Sequence, residues 1–384
     1  MEKQTKIPKL RFHEFSDAWE KKKLKETILM IVDNRGKTPP VCNDGEIPLL
    51  EITSMGNFHI DYSKVEKFVD KTTYNTWFRK YLQKGDVLFS TVGARAGICS
   101  YYNETIVSSV AQNIIGIRFK KDYSVFMYYL LTERRNNCNI KSIQMTGAQP
   151  SIKVPQLTEL HFSLPTFNEQ IKIGSFINAV DDKLSELKKK KSLLEQYKKG
   201  IMQKLFSQEL RLKDEKGNDF AKWEEKKIKD VLTIGSGKDY KQLKMGEVPV
   251  FGTGGLMTFV DSWLYDGDTV CIGRKGTIDK PMFYSGKIWT VDTLFYTHSF
   301  VLSVPKFIYY VFQGINWKEY NEASGVPSLS KSTIEKIAIA LPSLPEQTKI
   351  ANFLSAIDDK INYCGVQIEK IEGWKKGLLQ KMFV

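Results

Sequence analysis

Cysteine and histidine are scarce in this 384-residue chain, with five Cys and four His. Cys42, Cys99, Cys138, Cys271 and Cys364 are odd in number, scattered and without a CxxC pair. That excludes a disulfide framework and a cysteine zinc site. His13, His59, His161 and His298 form no HxH or HxxxH spacing, so no histidine metal centre is expected either. His161, in a strand-like stretch, reads as a packing residue. No apolar run approaches the ~18 residues that cross a bilayer. Met1-Glu2-Lys3-Gln4 begins no apolar signal segment. A soluble, cytoplasmic protein of bacterial type is the expectation.

Catalytic motifs are missing as well. Arg35-Gly36-Lys37-Thr38 has the tail of a phosphate loop, but Ile31 stands where its leading glycine is needed. Gly235-Ser236-Gly237-Lys238 lacks the remaining glycines of such a loop. Pro39-Pro40, between Thr38 and Val41, has no aromatic neighbour to hold a flipped base. Acidic charge is the minority: 44 Asp+Glu against 57 Lys+Arg leave a net +13, which points to an acidic partner, nucleic acid first. What the chain does have is apolar material, 42% hydrophobic and 12% aromatic, enough to exclude wholesale disorder. Its length suggests two or three domains of roughly 100–200 residues.

The chain repeats itself. Pro150–Ser207 aligns without a gap onto Pro327–Val384 at a constant offset of 177, with about 20 of 58 positions identical. Asp181-Asp182-Lys183 meets Asp358-Asp359-Lys360, and Lys198-Lys199-Gly200 meets Lys375-Lys376-Gly377. Weaker echoes run upstream. Leu10-Arg11 with Trp19-Glu20 returns as Leu210-Arg211 with Trp223-Glu224, and Phe126-Met127-Tyr128-Tyr129 returns as Phe307-Ile308-Tyr309-Tyr310. Counted from Trp19 and Trp223, the offsets fall from 204 to 177, so from there on the second copy is 27 residues shorter, all lost from its front. A variable front and a nearly invariant rear, used twice, describe the sequence.

Each rear reads as a long helix with a seam of three- and four-residue steps. The first seam runs through Ile177, Val180, Leu184, Leu187, Leu194 and Ile201, and the second through Leu354, Ile357, Ile361, Ile368, Ile371 and Leu378. Lys191, Lys198 and Lys375 also fall on these seams. About 32 residues make each seam roughly 48 Å long. A lone helix would leave that stripe wet, so the two are expected to pack together through these residues, the alternative being that each lies on its own front. The Asp-Asp-Lys runs sit inside the helical pattern, where a solvated or capping role is expected of them rather than nuclease chemistry. Lys188-Lys189-Lys190-Lys191 reads as a solvated face, since the second copy has Gly365-Val366-Gln367-Ile368 there.

The fronts read as mixed α/β, mostly strands: 47–53, 87–92, 105–119 and 160–164, then 248–253, 269–272, 288–297 and 337–341. Helices are expected near 125–135 and 305–314. No βαβ alternation appears, which disfavours a Rossmann sheet. Basic residues flank loop glycines at matching places, Arg95 in the first front and Arg274 with Lys275 in the second. Glycine allows close backbone approach, and a guanidinium can grip a phosphate or guanine O6/N7. Arg35, Lys37, Arg79 and Lys80 add charge in the first front; Lys238, Lys241 and Lys280 do so in the second. The joint of front and rear, 146–151 against 324–328, carries Gln149 in one copy only, with Lys153 and Lys331 just beyond. Together these are the candidate DNA-binding residues. Two similar modules on a rod suit half-sites about 34–36 Å apart, and unequal fronts suit an asymmetric target.

This layout resembles the specificity subunit of type I restriction–modification enzymes over nearly the whole chain. The resemblance rests on Leu164-Pro165, Glu169-Gln170 and Ile173, repeated as Leu341-Pro342, Glu346-Gln347 and Ile350. It rests also on the Asp-Asp-Lys runs, the closing Lys199–Phe206 and Lys376–Phe383 segments, and Arg-Gly-Lys-Thr-Pro at 35–39. The resemblance implies an α+β tandem repeat with pseudo-twofold symmetry. Target-recognition domains are placed at 1–165 and 208–342, and long helices at 166–207 and 343–384, paired as an antiparallel coiled coil. It implies that each domain reads half of a bipartite DNA site, while the helices set the spacing and dock two modification subunits. Those subunits methylate adenine at N6 with S-adenosylmethionine, and restriction subunits add ATP- and Mg²⁺-dependent translocation and cleavage. No cofactor, metal or catalytic residue is then expected in this chain. The alternatives are a non-enzymatic coiled-coil scaffold and a stand-alone nuclease.

Overall fold

A computed structural model of the chain describes residues 7–34, 36, 38–42, 44–103, 106–145 and 150–384. The chain divides into two compact units, one of residues 1–188 with 367–384, the other of residues 189–366. The division does not follow the ends of the long helices, Phe167–Phe206 and Leu344–Met382. Each unit instead holds the first half of one helix and the second half of the other.

In the first unit, Ile28–Val32, Ile114–Phe119, Val87–Ser90 and Cys99–Tyr101 form, in that order, an antiparallel sheet. A smaller sheet has Ile47–Leu50 at its centre, antiparallel to Phe68–Val69 and parallel to Ser109–Val110. Glu20–Lys23 pairs with His161–Leu164, tying the start of the front to its end. His161 on that pair is exposed, so the packing role expected of it is not taken up.

The second unit joins the corresponding strands into one six-stranded sheet. Its order is Thr233–Ser236, Leu294–His298, Tyr265–Gly273, Met282–Thr290, Val248–Gly252 and Gly255–Val260. Here Val248–Gly252 turns straight back into its neighbour, with only Thr253 and Gly254 between them. The first unit fills the same connection with an irregular stretch and then, after Phe68–Val69, adds the helix Lys71–Trp77. Much of the length difference between the copies lies there. Two expected strands prove to be pairs: 288–297 breaks at Val291–Thr293, and 105–119 breaks between Ser109–Val110 and Ile114. Polar turn residues interrupt an apolar run that composition alone reads as continuous.

The helix expected over 125–135 stops at Thr132, because Glu133 caps a new one, Arg134–Ser142, accepting from the Arg135 and Asn136 amides at 2.8 and 3.1 Å. Its counterpart spans Pro305–Gly314.

These short helices explain where the long seams go. In the first unit Ile173, Ile177 and Val180 share a core with Phe126, Tyr129 and Leu130, and Leu378 and Met382 complete it. In the second, Ile350, Leu354 and Ile357 share a core with Phe307 and Tyr310, and Leu205 completes it. Each helix therefore lies on its own front through its first half and covers the other copy's front with its second. Ile371 packs at the edge of the first core, Ile201 and Ile361 at the edge of the second. Leu187 is buried, and Leu184, Leu194 and Ile368 are half-buried.

Within each unit the helix halves run antiparallel. Asp181 pairs with Lys375 and Lys188 with Glu372 in the first; Lys198 pairs with Asp358 in the second. The motif at each helix start serves docking. Glu169, fully buried, takes a two-pronged bond from Arg11 at 2.8 and 2.7 Å, and Glu346 takes the same from Arg211. Gln170 accepts from the Tyr123 amide and donates to the Pro165 carbonyl, and Gln347 does likewise with Val304 and Pro342.

Candidate nucleic-acid interface

The same backbone platform closes the central strands of both units. In the first, the Gly93 amide donates to the Pro150 carbonyl at 2.8 Å, Ile152 to Thr91 at 2.8 Å, and Thr91 to Asn113 at 2.8 Å. In the second, Gly276 donates to Pro327 at 2.8 Å, Leu329 to Arg274 at 2.9 Å, and Arg274 to Thr293 at 2.7 Å. Gly93 and Gly276 have φ of +93° and +88°, a left-handed turn that glycine adopts without strain. Ile152 and Leu329, each 1% exposed, anchor the joint of front and rear beneath these turns.

This register corrects the sequence-based pairing of the two basic loops. Gly93 corresponds to Gly276, so Arg274 and Lys275 occupy the places of Thr91 and Val92. Arg95 lies two residues beyond its glycine. The two copies thus carry their cations on opposite sides of one turn, a difference hidden by the short, glycine-rich similarity of the loops.

In the second unit the platform gathers most of the candidates. Arg274 is exposed, its guanidinium over the Phe295 ring and 3.4 Å from the Asp292 carbonyl. Lys275 is exposed and bridges to Ser328. Lys238 joins the end of the strand Met282–Thr290 through its backbone, donating to Thr290 at 2.8 Å and accepting from the Trp289 indole at 2.9 Å. Lys241 follows, its amide on Asp239. Lys331 begins the helix Lys331–Lys336, pairs with Glu335 at 3.6 Å, and with burial holds His298 below the ordinary histidine range, burial being the larger cause. Lys280 is not part of this group: with Lys198, Gln203 and Gln313 it lines a groove of about 590 Å³ beside the long helix.

In the first unit the candidates are more dispersed. Arg95 is exposed, but its guanidinium turns back and donates to the Met55 carbonyl at 3.0 Å. Lys153 is exposed and precedes the helix Val154–Glu159. Arg79 and Lys80 bring their amides to the Asn34 side chain at 3.1 and 3.3 Å, and Lys80 Nζ donates to the Ile31 carbonyl at 2.7 Å. With Asp33 and Gly36 they line a hollow of about 530 Å³. Arg35, Lys37 and Gln149 lie outside the described residues.

One group was misread in the sequence. Asp182, Lys183, Asp359 and Lys360 are exposed as expected of a solvated run, but Asp181, buried, and Asp358, half-buried, are held by specific partners and do not cap a helix. Tyr129 and Lys375 bond Asp181 at 2.8 and 2.7 Å, while Tyr310 and Lys198 bond Asp358 at 2.8 and 2.6 Å. Burial, with the adjacent carboxylate as a smaller cause, pushes both phenols well above the ordinary tyrosine range, so they stay protonated donors. The signal was present: Tyr-Tyr, Asp-Asp-Lys and Lys-Lys-Gly each recur in both copies. Among the described residues, no three His, Cys, Asp or Glu are grouped to hold a metal ion, and no helix is long and apolar enough to cross a membrane.

The profile of the family described as type I restriction modification DNA specificity domain matches residues 16–196 and 221–372. A Methanocaldococcus jannaschii protein provisionally named the type I restriction enzyme MjaX specificity subunit is 26% identical over 415 aligned residues, covering 98% of this chain and 95% of that one. The fold is similar to a crystal structure of a type I restriction–modification S subunit from M. genitalium, with TM-score 0.71, 17% identity and 99% of both chains covered. It is also similar, at TM-score 0.53 and 14% identity over 97% of this chain and 99% of the other, to a structure described for complex assembly and conformational transition of the type I system.

Proposed function

The chain belongs to the type I restriction modification DNA specificity family, and on that premise we propose that it reads DNA for a restriction–modification complex, each unit taking one half of a bipartite, asymmetric site. The observation that carries this reading is the shared strand-end platform. One backbone design, built twice, presents different side chains, as a common scaffold with two sequence preferences requires. Exposed Arg and Lys on rigid loops neutralise phosphates and position the protein, while side chains at base edges supply specificity.

In this reading the long helices set the spacing of the half-sites and dock two methyltransferase subunits. Adenine methylation with S-adenosylmethionine, and ATP- and Mg²⁺-dependent cleavage, belong to the partner subunits in the cytoplasm. This chain holds no cofactor and supplies recognition. The test maps methylated adenines across the genome of cells that carry the modification subunits, with and without this chain. A bipartite, non-palindromic motif that vanishes with the chain supports the reading. A motif that persists without it overturns the reading, as does a purified chain with no salt-dependent DNA affinity in complex with its partners, which is what a mere scaffold gives.

A further inference from the structure

The hairpin of Val248–Gly252 and Gly255–Val260 is the edge of the second unit's sheet, and its side chains break the alternation of a strand. Phe251 faces Leu256 and Val250 faces Thr258, so Met257 is an extra residue without a partner. Such a bulge bends the strand and re-aims side chains. Leu256 and Met257, adjacent in sequence, are accordingly both exposed, at 54% and 53%. Three glycines surround the turn. A methyl group on Gly252 would lie 2.9 Å from Met257 Sδ, so the missing side chain there lets Met257 lie across the neighbouring strand.

The hairpin adjoins the cationic platform. A methyl on Gly276 would lie 3.6 Å from Thr253 Oγ1, and the Val291 amide donates to the Phe251 carbonyl at 3.0 Å. Two apolar side chains therefore stand next to the loops 237–247 and 274–281, which carry Lys238, Lys241, Lys244, Arg274, Lys275 and Lys280 against Asp239, Glu247 and Asp279. The first unit differs at this place. The segment after Ile47–Leu50 folds inward, with Met55 only 5% exposed and its carbonyl capped by Arg95.

A two-stranded ribbon fits the major groove of B-DNA, where the thymine C5 methyl is the apolar mark on a base edge. Resting on the proposed DNA-reading role, we propose that this hairpin enters the major groove at the second unit's half-site and that Leu256 and Met257 recognise a thymine methyl there. The flanking cations hold the adjacent phosphates. The excess of positive charge around the apolar pair favours a duplex over a protein partner as the occupant.

The test selects sequences from a random duplex library with the full chain in complex with its modification subunits. Each thymine of the selected sequence is then replaced by deoxyuridine, which lacks only the methyl. One substitution, in the second unit's half-site, should weaken binding about fourfold, the effect of one buried methyl group. L256S/M257S should bind the thymine and uracil duplexes alike and lose sequence preference in that half alone. Uracil tolerated at every position overturns the proposal, as does an L256S/M257S complex that assembles normally and keeps its preference in that half, or a double variant whose defect is loss of assembly with the modification subunits. If the unaltered complex selects no sequence at all, the DNA-reading role itself falls.

Discussion

Lys375, near the end of the second long helix, donates to Asp181 of the first at 2.7 Å, and Tyr129 from the front donates to the same oxygen at 2.8 Å. Lys198, Asp358 and Tyr310 repeat the arrangement in the other unit. A lysine in an apolar seam costs stability unless paired, and it is satisfied only in one register. The Asp-Asp-Lys run is thereby a register pin that couples front to helix pair.

Asp181→Ala should lower unfolding free energy by about 3 kcal/mol, the low end for breaking a buried pair, because Lys375 keeps 23% of its side-chain exposure. Combined with Lys375→Ala in a double-mutant cycle followed by urea denaturation, the coupling should exceed about 1 kcal/mol. Strictly additive effects would remove the pin.

Residues 367–384 complete the first unit's core, where Phe383 stacks on Phe126 at 5.3 Å and the Leu10 amide donates to the Lys381 carbonyl. Deleting them should open residues 7–188 to limited proteolysis while fragments of the second unit persist. Equal loss of both units, or of neither, contradicts this division.

Arg274 and Lys275 lie exposed on the second unit's platform, where each can neutralise a phosphate. Arg274→Ala and Lys275→Ala should each reduce the slope of log K against log salt by roughly 0.9. Arg95→Ala should cost about 1–3 kcal/mol of specific binding if that guanidinium reads a base. Titrations at two salt concentrations measure both: unchanged slopes remove Arg274 and Lys275 from the interface, and unchanged affinity removes Arg95.

Cys138 is exposed, while Cys99 and Cys271 are fully buried and burial pushes their thiols up, Cys271 to about 12. Thiolate is the reactive form. A thiol reagent should therefore label exposed Cys138 in the folded chain, with Cys99 and Cys271 silent until denaturant is added. Rapid labelling of Cys271 in the folded chain would refute its place inside the sheet.

The duplication, the long helices and the mixed fronts were legible because they rest on periodicity and self-comparison. The packing of each helix half was not, since an apolar stripe does not say whether a neighbouring helix or a domain covers it. Both do, as Ile177 and Leu378 in one core demonstrate. The equivalence of Arg95 with Arg274 failed because only hydrogen-bond register, not glycine spacing, identifies Gly93 with Gly276. Asp181 was misjudged because a helical carboxylate reads as solvated until the opposing lysine and tyrosine are placed. The apolar pair Leu256–Met257 stayed hidden behind a bulge that no two-residue alternation announces.

The central claim is that each unit reads its own half of the target. Exchanging residues 20–165 for the front of another family member, then sequencing methylated adenines in cells carrying the modification subunits, tests it most directly. The account predicts that one half of the motif changes and the other stays. A change in both halves, or in neither, would contradict it.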